Sequence, residues 1–168
     1  ITLGSGADFV TVGDGSNTIT LGSGDDVVTV GAGLNTITLG AGADTVQVNR
    51  AVNENLYSTI TDFALGDSLD FSVGPAQDGT LGAAITLAGT ADFEDYLNEA
   101  ASGPGNTLAW FQFRGNTFVV ADDNAQVFYF ELNAQGQAGN DSVVALTGLI
   151  DLTGSTYDQS GILTFALV

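Results

Sequence analysis

The first fifty residues contain one nine-residue unit five times in succession, and this repeat constrains the fold more than any other feature of the chain. From Leu3 to Gln47 the units read LGSGADFVT, VGDGSNTIT, LGSGDDVVT, VGAGLNTIT and LGAGADTVQ. Each unit has an aliphatic first position, glycine at the second and fourth positions, Asp or Asn at the sixth, and an aliphatic eighth position. A fixed period of this kind predicts a solenoid of stacked coils.

The sixth position of the unit alternates between two side chains. It is Asp8, Asn17, Asp26, Asn35 and Asp44 in successive units, so aspartates recur every eighteen residues. If two units make one coil with a turn at each end, the aspartates stack along one edge and the asparagines along the other. Stacked strands lie about 4.8 Å apart, close enough for one ion to lie between successive aspartate turns. Uncharged asparagine turns hold a divalent cation poorly, so we interpret them as a hydrogen-bonded ladder.

Between the turns, aliphatic residues alternate with Thr or Gln, as in strands that are buried on one face. This alternation places one set of side chains inside the coils: Val10, Val12, Ile19, Leu21, Val28, Val30, Ile37, Leu39, Val46 and Val48. The outward positions include Thr18, Thr20, Thr36 and Thr38. We interpret these threonines as strand formers on a solvated face; a hydroxyl array that contacts ice or a protein lattice is the alternative.

The turns supply oxygen ligands. Glycine permits the positive φ angles of a tight turn, which can aim carbonyl oxygens inward, and the sixth position adds a carboxylate. Oxygen-only coordination suits a hard cation such as calcium. The chain contains neither His nor Cys, so the usual zinc, haem and iron–sulfur ligand sets cannot be built. The sequence therefore predicts Ca²⁺ as the cofactor.

This pattern resembles the nonapeptide of RTX proteins, G-G-x-G-x-D-x-U-x, which folds as a parallel β-roll around calcium. The chain departs from it at the first position, which is Leu or Val in every unit. The resemblance implies that carbonyls from the first and third positions of one turn and from the second and fourth positions of the next bind the ion together with the aspartates. The ligands it implies in this sequence are Leu3, Ser5, Asp8, Leu21, Gly22, Ser23, Gly24, Asp26, Leu39, Gly40, Ala41, Gly42 and Asp44.

Residues 58–72, STITDFALGDSLDFS, resemble the segment that follows the repeats in many RTX proteins. Asp62 is eighteen residues beyond Asp44 and is expected to continue the aspartate edge by one coil. Asp62, Asp67 and Asp70 are then candidates for a third calcium site. Carboxylates in polar turns that bind no metal are the alternative.

The remaining residues predict short strands and one amphipathic helix. The helix is expected at 91–101, with Thr90 or Asp92 as its cap, and the strands at 84–88, 108–113, 117–121 and 126–132. Trp110 and the neighbouring aromatics are interpreted mainly as core, with a carbohydrate-binding surface as the alternative. The predicted fold class is all-β: a right-handed parallel β-roll (1–49), a calcium-binding cap segment (50–75), and a mainly antiparallel β domain with one short helix (76–168).

Composition narrows the classes of function. Twenty acidic residues against two basic ones, Arg50 and Arg114, give a formal charge of −18, which excludes nucleic acid and anionic membranes as partners. The absence of cysteine is typical of a chain stapled by metal rather than by disulfides. No apolar run is long enough to span a bilayer. Without His, Cys or a recognisable catalytic motif, we predict no catalytic residues and no enzymatic activity in this part of the protein.

The RTX resemblance implies export by type I secretion and calcium-coupled folding outside the cell. The Thr-rich composition is similar to that of S-layer proteins that carry such repeats, and the apolar tail at 165–168 is similar to C-terminal secretion signals. We therefore expect a structural and secretion module of an extracellular or cell-surface protein, an S-layer protein or adhesin, whose partners are calcium, the secretion machinery and self-assembly or cell-surface contacts. The alternative is the export and stability domain of a secreted hydrolase, as in serralysin-type proteases and RTX lipases. Ile1 and Thr2 match Ile19 and Thr20, so we expect further protein before them.

Overall fold

The computed structural model describes residues 1–48, 57–72, 79–103, 107–121 and 142–167. Within these ranges the chain is mostly β with one short helix, and none of its helices has the length and apolarity needed to cross a membrane. The elements are β1 (Phe9–Thr11), β2 (Thr18–Ser23), β3 (Val27–Thr29), β4 (Thr36–Ala41), β5 (Thr45–Gln47), β6 (Ser58–Ile60), β7 (Ser68–Asp70), β8 (Leu81–Ile85), α1 (Phe93–Ala101), β9 (Leu108–Phe113), β10 (Asn116–Ala121), β11 (Ser142–Thr147), β12 (Thr156–Tyr157) and β13 (Ile162–Thr164).

The repeats form a roll of two facing parallel sheets. One sheet contains β1, β3, β5 and β7, and the other contains β2, β4 and β6. Within the repeats each coil advances by eighteen residues, so that Val10 lies beside Val28 and Val28 beside Val46. Two units therefore make one coil, as the alternation of Asp and Asn predicts.

The interior of the roll is aliphatic. The side chains predicted to point inward are buried, except Val12, which is partly buried and packs against the same cluster. Because every coil adds the same inward pattern, these side chains stack into continuous apolar ladders that hold the two sheets together.

The C-terminal strands extend both sheets of the roll. β11 pairs in parallel with β6, and β10 and β9 follow it as antiparallel neighbours, with β8 parallel to β9. On the other sheet β13 pairs antiparallel with β7, and β12 follows it. The hydrophobic core also continues, because Trp110, Leu146 and Leu163 belong to the same buried cluster as the inward residues of the roll.

The helix α1 packs against β8, β9 and β10. Asp92 is its N-cap, and Asp92 and Asp95 form a capping box in which each side chain accepts the other's backbone N–H at 3.0 Å. Leu97 of α1 packs with Phe111 and Phe118 in a second buried cluster. The predicted helix is confirmed, with its first turn two residues later than expected.

Several predicted strands are also found. The β9–β10 hairpin is confirmed, and its turn residues Arg114 and Gly115 both have positive φ, 48° and 87°, as the tight hairpin turn requires. The strand predicted at 84–88 lies three residues earlier, as β8. The strand predicted at 126–132, Arg50 and most of the segment between the repeats and β6 lie outside the described residues. Of the apolar tail, Phe165 is buried and stacks on Phe63 with ring centroids 5.9 Å apart, and Val168 lies outside the described residues.

Candidate metal centre

The aspartate edge of the roll is a stack of identical turns joined by backbone hydrogen bonds. Gly6 N–H donates to the Ser23 carbonyl at 2.7 Å, and Gly24 N–H donates to the Ala41 carbonyl at 2.8 Å. These bonds set the spacing between successive turns, so each turn presents its carbonyls and its aspartate at the same place as the turn before.

Glycine is required in these turns for two reasons. Gly22 and Gly40 have φ of +136° and +102°, a region that residues with a Cβ rarely adopt. A Cβ on Gly22 would also collide with the Gly4 carbonyl oxygen, and one on Gly40 with the Gly22 carbonyl oxygen. The second-position carbonyls of one coil therefore lie directly against the backbone of the next coil.

The sixth-position aspartates form a ladder. Asp26 Oδ1 accepts the Asp8 N–H at 2.8 Å, and Asp44 Oδ1 accepts the Asp26 N–H at 2.8 Å. Asp26 and Asp44 are each only 1% exposed. The stacking of Asp8, Asp26 and Asp44 along one edge, predicted from their spacing, is confirmed.

The second carboxylate oxygen of Asp26 and of Asp44 has no hydrogen-bond partner among the described residues. Asp26 Oδ2 and Asp44 Oδ2 are fully buried and accept no hydrogen bond. Burial raises the pKa of Asp44, and the charges of Asp26, Asp25 and Asp62 raise it further, against the hydrogen bond from Asp26 N–H. An ionised carboxylate in this position is costly unless a cation or a donor meets it. A cation bound between the turns would neutralise these buried carboxylates.

Backbone carbonyls would have to complete such a site. Among the residues that the structure describes, no group of three or more acidic side chains could hold a metal by itself. The carbonyls of Gly4, Ser23 and Ala41 each accept one N–H from a neighbouring coil, and a carbonyl oxygen has a second lone pair. One carboxylate per turn together with carbonyl oxygens is a donor set that suits calcium.

The expectation that Asp62 continues the aspartate ladder is wrong. Asp67 takes that place, since its Oδ1 accepts the Asp44 N–H at 3.1 Å. Asp62 instead accepts the Leu39 N–H at 2.8 Å and the Gly40 N–H at 2.9 Å, at the start of the same turn. The register explains the difference, because the last coil of the roll advances by twenty-three residues rather than eighteen.

The three acidic residues after the repeats do not converge on one point. Asp67 Oδ2 accepts the Ala64 N–H at 2.8 Å, so both oxygens of this carboxylate have donors. Asp70 lies on β7, where its oxygens accept the Ser72 N–H at 2.8 Å and the Gln47 amide at 3.3 Å. Asp62, Asp67 and Asp70 thus close the last coil by hydrogen bonds, and a third ion there stays a prediction.

Two further aspartates, Asp14 and Asp25, lie at other turn positions, where sequence reasoning predicts solvated side chains without a structural role. Asp14 Oδ1 accepts the Ala32 N–H at 2.8 Å, and Asp25 Oδ1 accepts the Ala43 N–H at 2.9 Å. Both side chains are exposed, so they join successive coils from the solvent side. Each accepts an N–H from the residue eighteen positions later, which has the same position in its unit. The period of eighteen residues could therefore have predicted both contacts.

The asparagine edge is a hydrogen-bonded ladder, as predicted. Asn35 Oδ1 accepts the Asn17 N–H at 3.2 Å, and Asn35 Nδ2 donates to the Ser58 hydroxyl at 3.2 Å. Ser58 therefore ends this ladder in the last coil, as Asp67 ends the aspartate ladder.

Comparison with known families agrees with this geometry. Residues 2–37 and 21–49 match the family model of the RTX calcium-binding nonapeptide repeat, in four copies. A search of curated proteins found no match to the chain. The matched residues include the whole aspartate edge from Asp8 to Asp44, and RTX nonapeptide repeats bind calcium. Residues 2–49 are therefore an array of RTX calcium-binding repeats.

Proposed function

We propose that the chain is the calcium-dependent structural and secretion module of an extracellular protein that is exported by a type I system and folds on calcium outside the cell. The observation that carries this proposal is the pair of buried carboxylate oxygens, Asp26 Oδ2 and Asp44 Oδ2, which lack any donor on an edge built from calcium-binding repeats. Right-handed winding of the roll and a mainly antiparallel C-terminal domain are parts of this proposal.

The residues that we propose to hold the ions are those that the RTX resemblance implies for the stacked turns. Asp8 and Asp26 flank one site, and Asp26 and Asp44 flank the other, so Asp26 serves both. Carbonyls of the first and third positions of one turn and of the second and fourth positions of the next complete each site: Leu3, Ser5, Gly22 and Gly24 for the first, and Leu21, Ser23, Gly40 and Gly42 for the second. Leu39 and Ala41 would offer their carbonyls on the far side of the last repeat turn, toward Asp62 and Asp67.

Calcium would supply the positive charge that balances the carboxylates of the aspartate edge. In a compartment poor in calcium, a chain of net charge −18 with glycine-rich turns repels itself and stays unfolded. A site with a dissociation constant of about 10⁻⁴ M in about 1 mM calcium contributes roughly 1.4 kcal/mol to the free energy of unfolding. Two such sites contribute about 3 kcal/mol, a large part of the stability of a small domain.

For the whole protein we favour a structural role, as an S-layer protein or adhesin, over a secreted hydrolase. The Thr-rich composition, which lacks lysine and cysteine, supports this. The described residues contain neither His nor Cys, and we propose that this chain is not itself catalytic. Electron microscopy of the longest secreted form, with and without calcium, separates the two: ordered arrays favour the lattice, and monomers with protease or lipase activity favour the hydrolase.

The calcium-coupled roll is tested by titrating the chain with calcium from EGTA while far-UV circular dichroism records β structure. The wild type should gain β signal cooperatively. Asp26→Ala removes the aspartate shared by both sites and should require about tenfold more calcium or fail to fold. Asp14→Ala is the matched control, because it removes the same charge and one interturn hydrogen bond from the asparagine edge, and it should respond like the wild type.

Two results would contradict the proposal. Full β signal in EGTA that calcium leaves unchanged would make the repeats a metal-free solenoid. Equal losses of calcium response in Asp26→Ala and Asp14→Ala would show a general effect of acidic charge rather than sites on one edge.

A further inference from the structure

The two edges of the roll differ at the sixth position, and they also differ in the backbone at the second position, where Gly22 and Gly40 have positive φ and Gly31 does not. Two hydrogen bonds between successive coils are common to both edges. Gly15 N–H donates to the Ala32 carbonyl at 2.8 Å, the same bond that Gly6 and Ser23 make at 2.7 Å on the aspartate edge. The Oδ1 atom of the sixth residue also has the same role on both edges, since it accepts the N–H of the sixth residue one coil earlier. At the sixth position the edges therefore share one side-chain contact and differ in one side-chain atom.

That atom is the second one of the side-chain head group. Asn17 Nδ2 donates to the carbonyls of Gly13 and Gly15 in its own turn, at 3.1 and 3.2 Å. Asn35 Nδ2 does the same with Gly31 and Gly33, at 3.1 and 3.4 Å.

Each asparagine amide also reaches the next coil. Asn17 Nδ2 donates to Asn35 Oδ1 at 2.9 Å, and Asn35 Nδ2 donates to the Ser58 hydroxyl at 3.2 Å. One amide nitrogen thus contacts carbonyls of the second and fourth positions and a side-chain oxygen of the following turn. The orientation of the amide is fixed, because the reverse would set its NH₂ group against a backbone N–H.

The aspartates have an oxygen, Oδ2, in place of this nitrogen. Oδ1 accepts a backbone N–H on both edges, and Oδ2 of Asp26 and of Asp44 is buried and has no donor among the described residues. The Nδ2 groups of Asn17 and Asn35, in contrast, donate hydrogen bonds to carbonyls of their own turns.

We propose that each asparagine amide closes its turn in place of a cation, so that the roll has one edge that requires calcium and one edge that requires no metal. The residue at the sixth position decides between the two states. The calcium half of this inference rests on the proposed function; the metal-free half rests on the hydrogen bonds of Asn17 and Asn35 alone.

The arrangement has a physical advantage. A roll with aspartate at every sixth position would have two acidic edges and would need an ion between every pair of turns on both. Alternation halves the number of ions and of repelling carboxylates, because the asparagine end of each coil needs no ion. Calcium then has only the opposite end of each coil to close.

The first experiment converts the calcium edge into an asparagine edge. The triple variant Asp8→Asn, Asp26→Asn, Asp44→Asn should show full β signal in EGTA and lose its response to calcium. The triple alanine variant at the same positions is the matched control, because it removes the same charges without supplying an amide, and it should remain unfolded in EGTA. Equal behaviour of the two triple variants would overturn the inference.

The second experiment converts the asparagine edge into a calcium edge. Asn17→Asp with Asn35→Asp should raise the calcium concentration at half folding by about tenfold and add one ion to the stoichiometry measured by isothermal titration calorimetry with CaCl₂. The variant Asn17→Ala with Asn35→Ala should be less stable than the wild type at an unchanged ion count. A lower ion count in this alanine variant would show that the asparagines ligate calcium and would overturn the inference.

These experiments separate the inference from the proposed function. If the wild type binds no calcium, the proposed function fails, whereas the comparison of the two triple variants in EGTA still decides whether an amide closes the turn. If the wild type binds calcium and the triple asparagine variant stays unfolded in EGTA, the inference alone fails.

Discussion

At the scale of single residues, the roll is governed by whether one buried atom donates or accepts. Asp26 and Asn35 are both 1% exposed and both hold a backbone N–H of the preceding coil. Asn35 Nδ2 donates to a carbonyl of its own turn, whereas Asp26 Oδ2 has no hydrogen-bond partner among the described residues. An unmet buried acceptor costs about 1–3 kcal/mol, and more when it is charged, so each turn must be closed by an amide, a cation or a proton.

Protons should therefore stabilise the calcium-free chain. Burial is the main cause that raises the pKa of Asp44 and of Asp67 above the ordinary 3.8. Between the ordinary and the raised pKa the native state binds more protons than the unfolded chain, so the free energy of unfolding falls as pH rises. This stabilising contribution is complete below pH 3.8 and is lost as pH rises through the folded-state pKa. In EGTA, far-UV circular dichroism should therefore show more β structure at about pH 4 than at pH 7.

Asp44→Asn provides the control for this pH dependence. The amide cannot titrate, so the β signal of the variant in EGTA should vary less between pH 4 and pH 7 than that of the wild type. In saturating calcium the wild type should have more β structure at pH 7 than at pH 4, because ion binding requires the ionised carboxylate. A wild-type β signal in EGTA that increases from pH 4 to pH 7 would contradict the assignment.

The residue pattern allowed the aspartate ladder, the asparagine ladder and the aliphatic interior to be predicted, because all three follow from a period of eighteen residues and the alternation of a strand. It could not reveal which oxygens lack donors. That depends on the rotamer of Asp26, which directs one of its oxygens to the Asp8 N–H, and a sequence does not determine a rotamer.

At the scale of elements, the coils are identical only while the period lasts. From β4 to β6 the pairing joins Ile37 to Ile60, and from β5 to β7 it joins Val46 to Leu69, a step of twenty-three residues on both sheets. The spacing of Asp44 and Asp62 suggested a further regular coil. The last coil instead contains five more residues than the coils before it. Their number could not be predicted, because residues outside the turn motif determine the length of an insertion.

The contact between stacked turns gives a prediction for Gly40→Ala. Alanine would have to adopt positive φ at this position, and its Cβ would collide with the Gly22 carbonyl oxygen. This oxygen is a backbone atom that cannot move without disturbing the neighbouring coil. We expect the free energy of unfolding in saturating calcium to fall by more than about 2 kcal/mol, as measured by urea denaturation. Gly4→Ala is the matched control at the same position of the unit, where a Cβ meets no atom within 4 Å, and it should change the free energy by less than about 0.5 kcal/mol. Equal effects of the two substitutions would exclude close stacking as the reason for glycine.

At the scale of the whole molecule, the roll and the C-terminal strands share sheets and core. β6 of the last coil pairs with β11, more than eighty residues later, and β7 pairs with β13. The helix and the β9–β10 hairpin were predicted because their signals are local. The long-range pairings were not, since no local pattern shows that β11 and β13 extend the sheets of the roll. Domain boundaries at 49 and 75 remain predictions from the sequence.

Continuous sheets imply that calcium controls the folding of the C-terminal strands as well as the repeats. Trp110 is the only tryptophan of the chain; it is 3% exposed, lies in the same buried cluster as Ile37 and Leu39, and donates its indole N–H to the Gly82 carbonyl at 3.0 Å. We expect its fluorescence to shift to longer wavelength in EGTA, and to return on addition of calcium with the same midpoint as the β signal in circular dichroism, as coincident probes of one cooperative transition require. The triple asparagine variant should keep the short-wavelength emission in EGTA, because its aspartate edge no longer depends on an ion. A wild-type emission that stays at short wavelength in EGTA while the β signal falls would show that the C-terminal strands fold without the roll, and that the shared sheets do not couple the two parts.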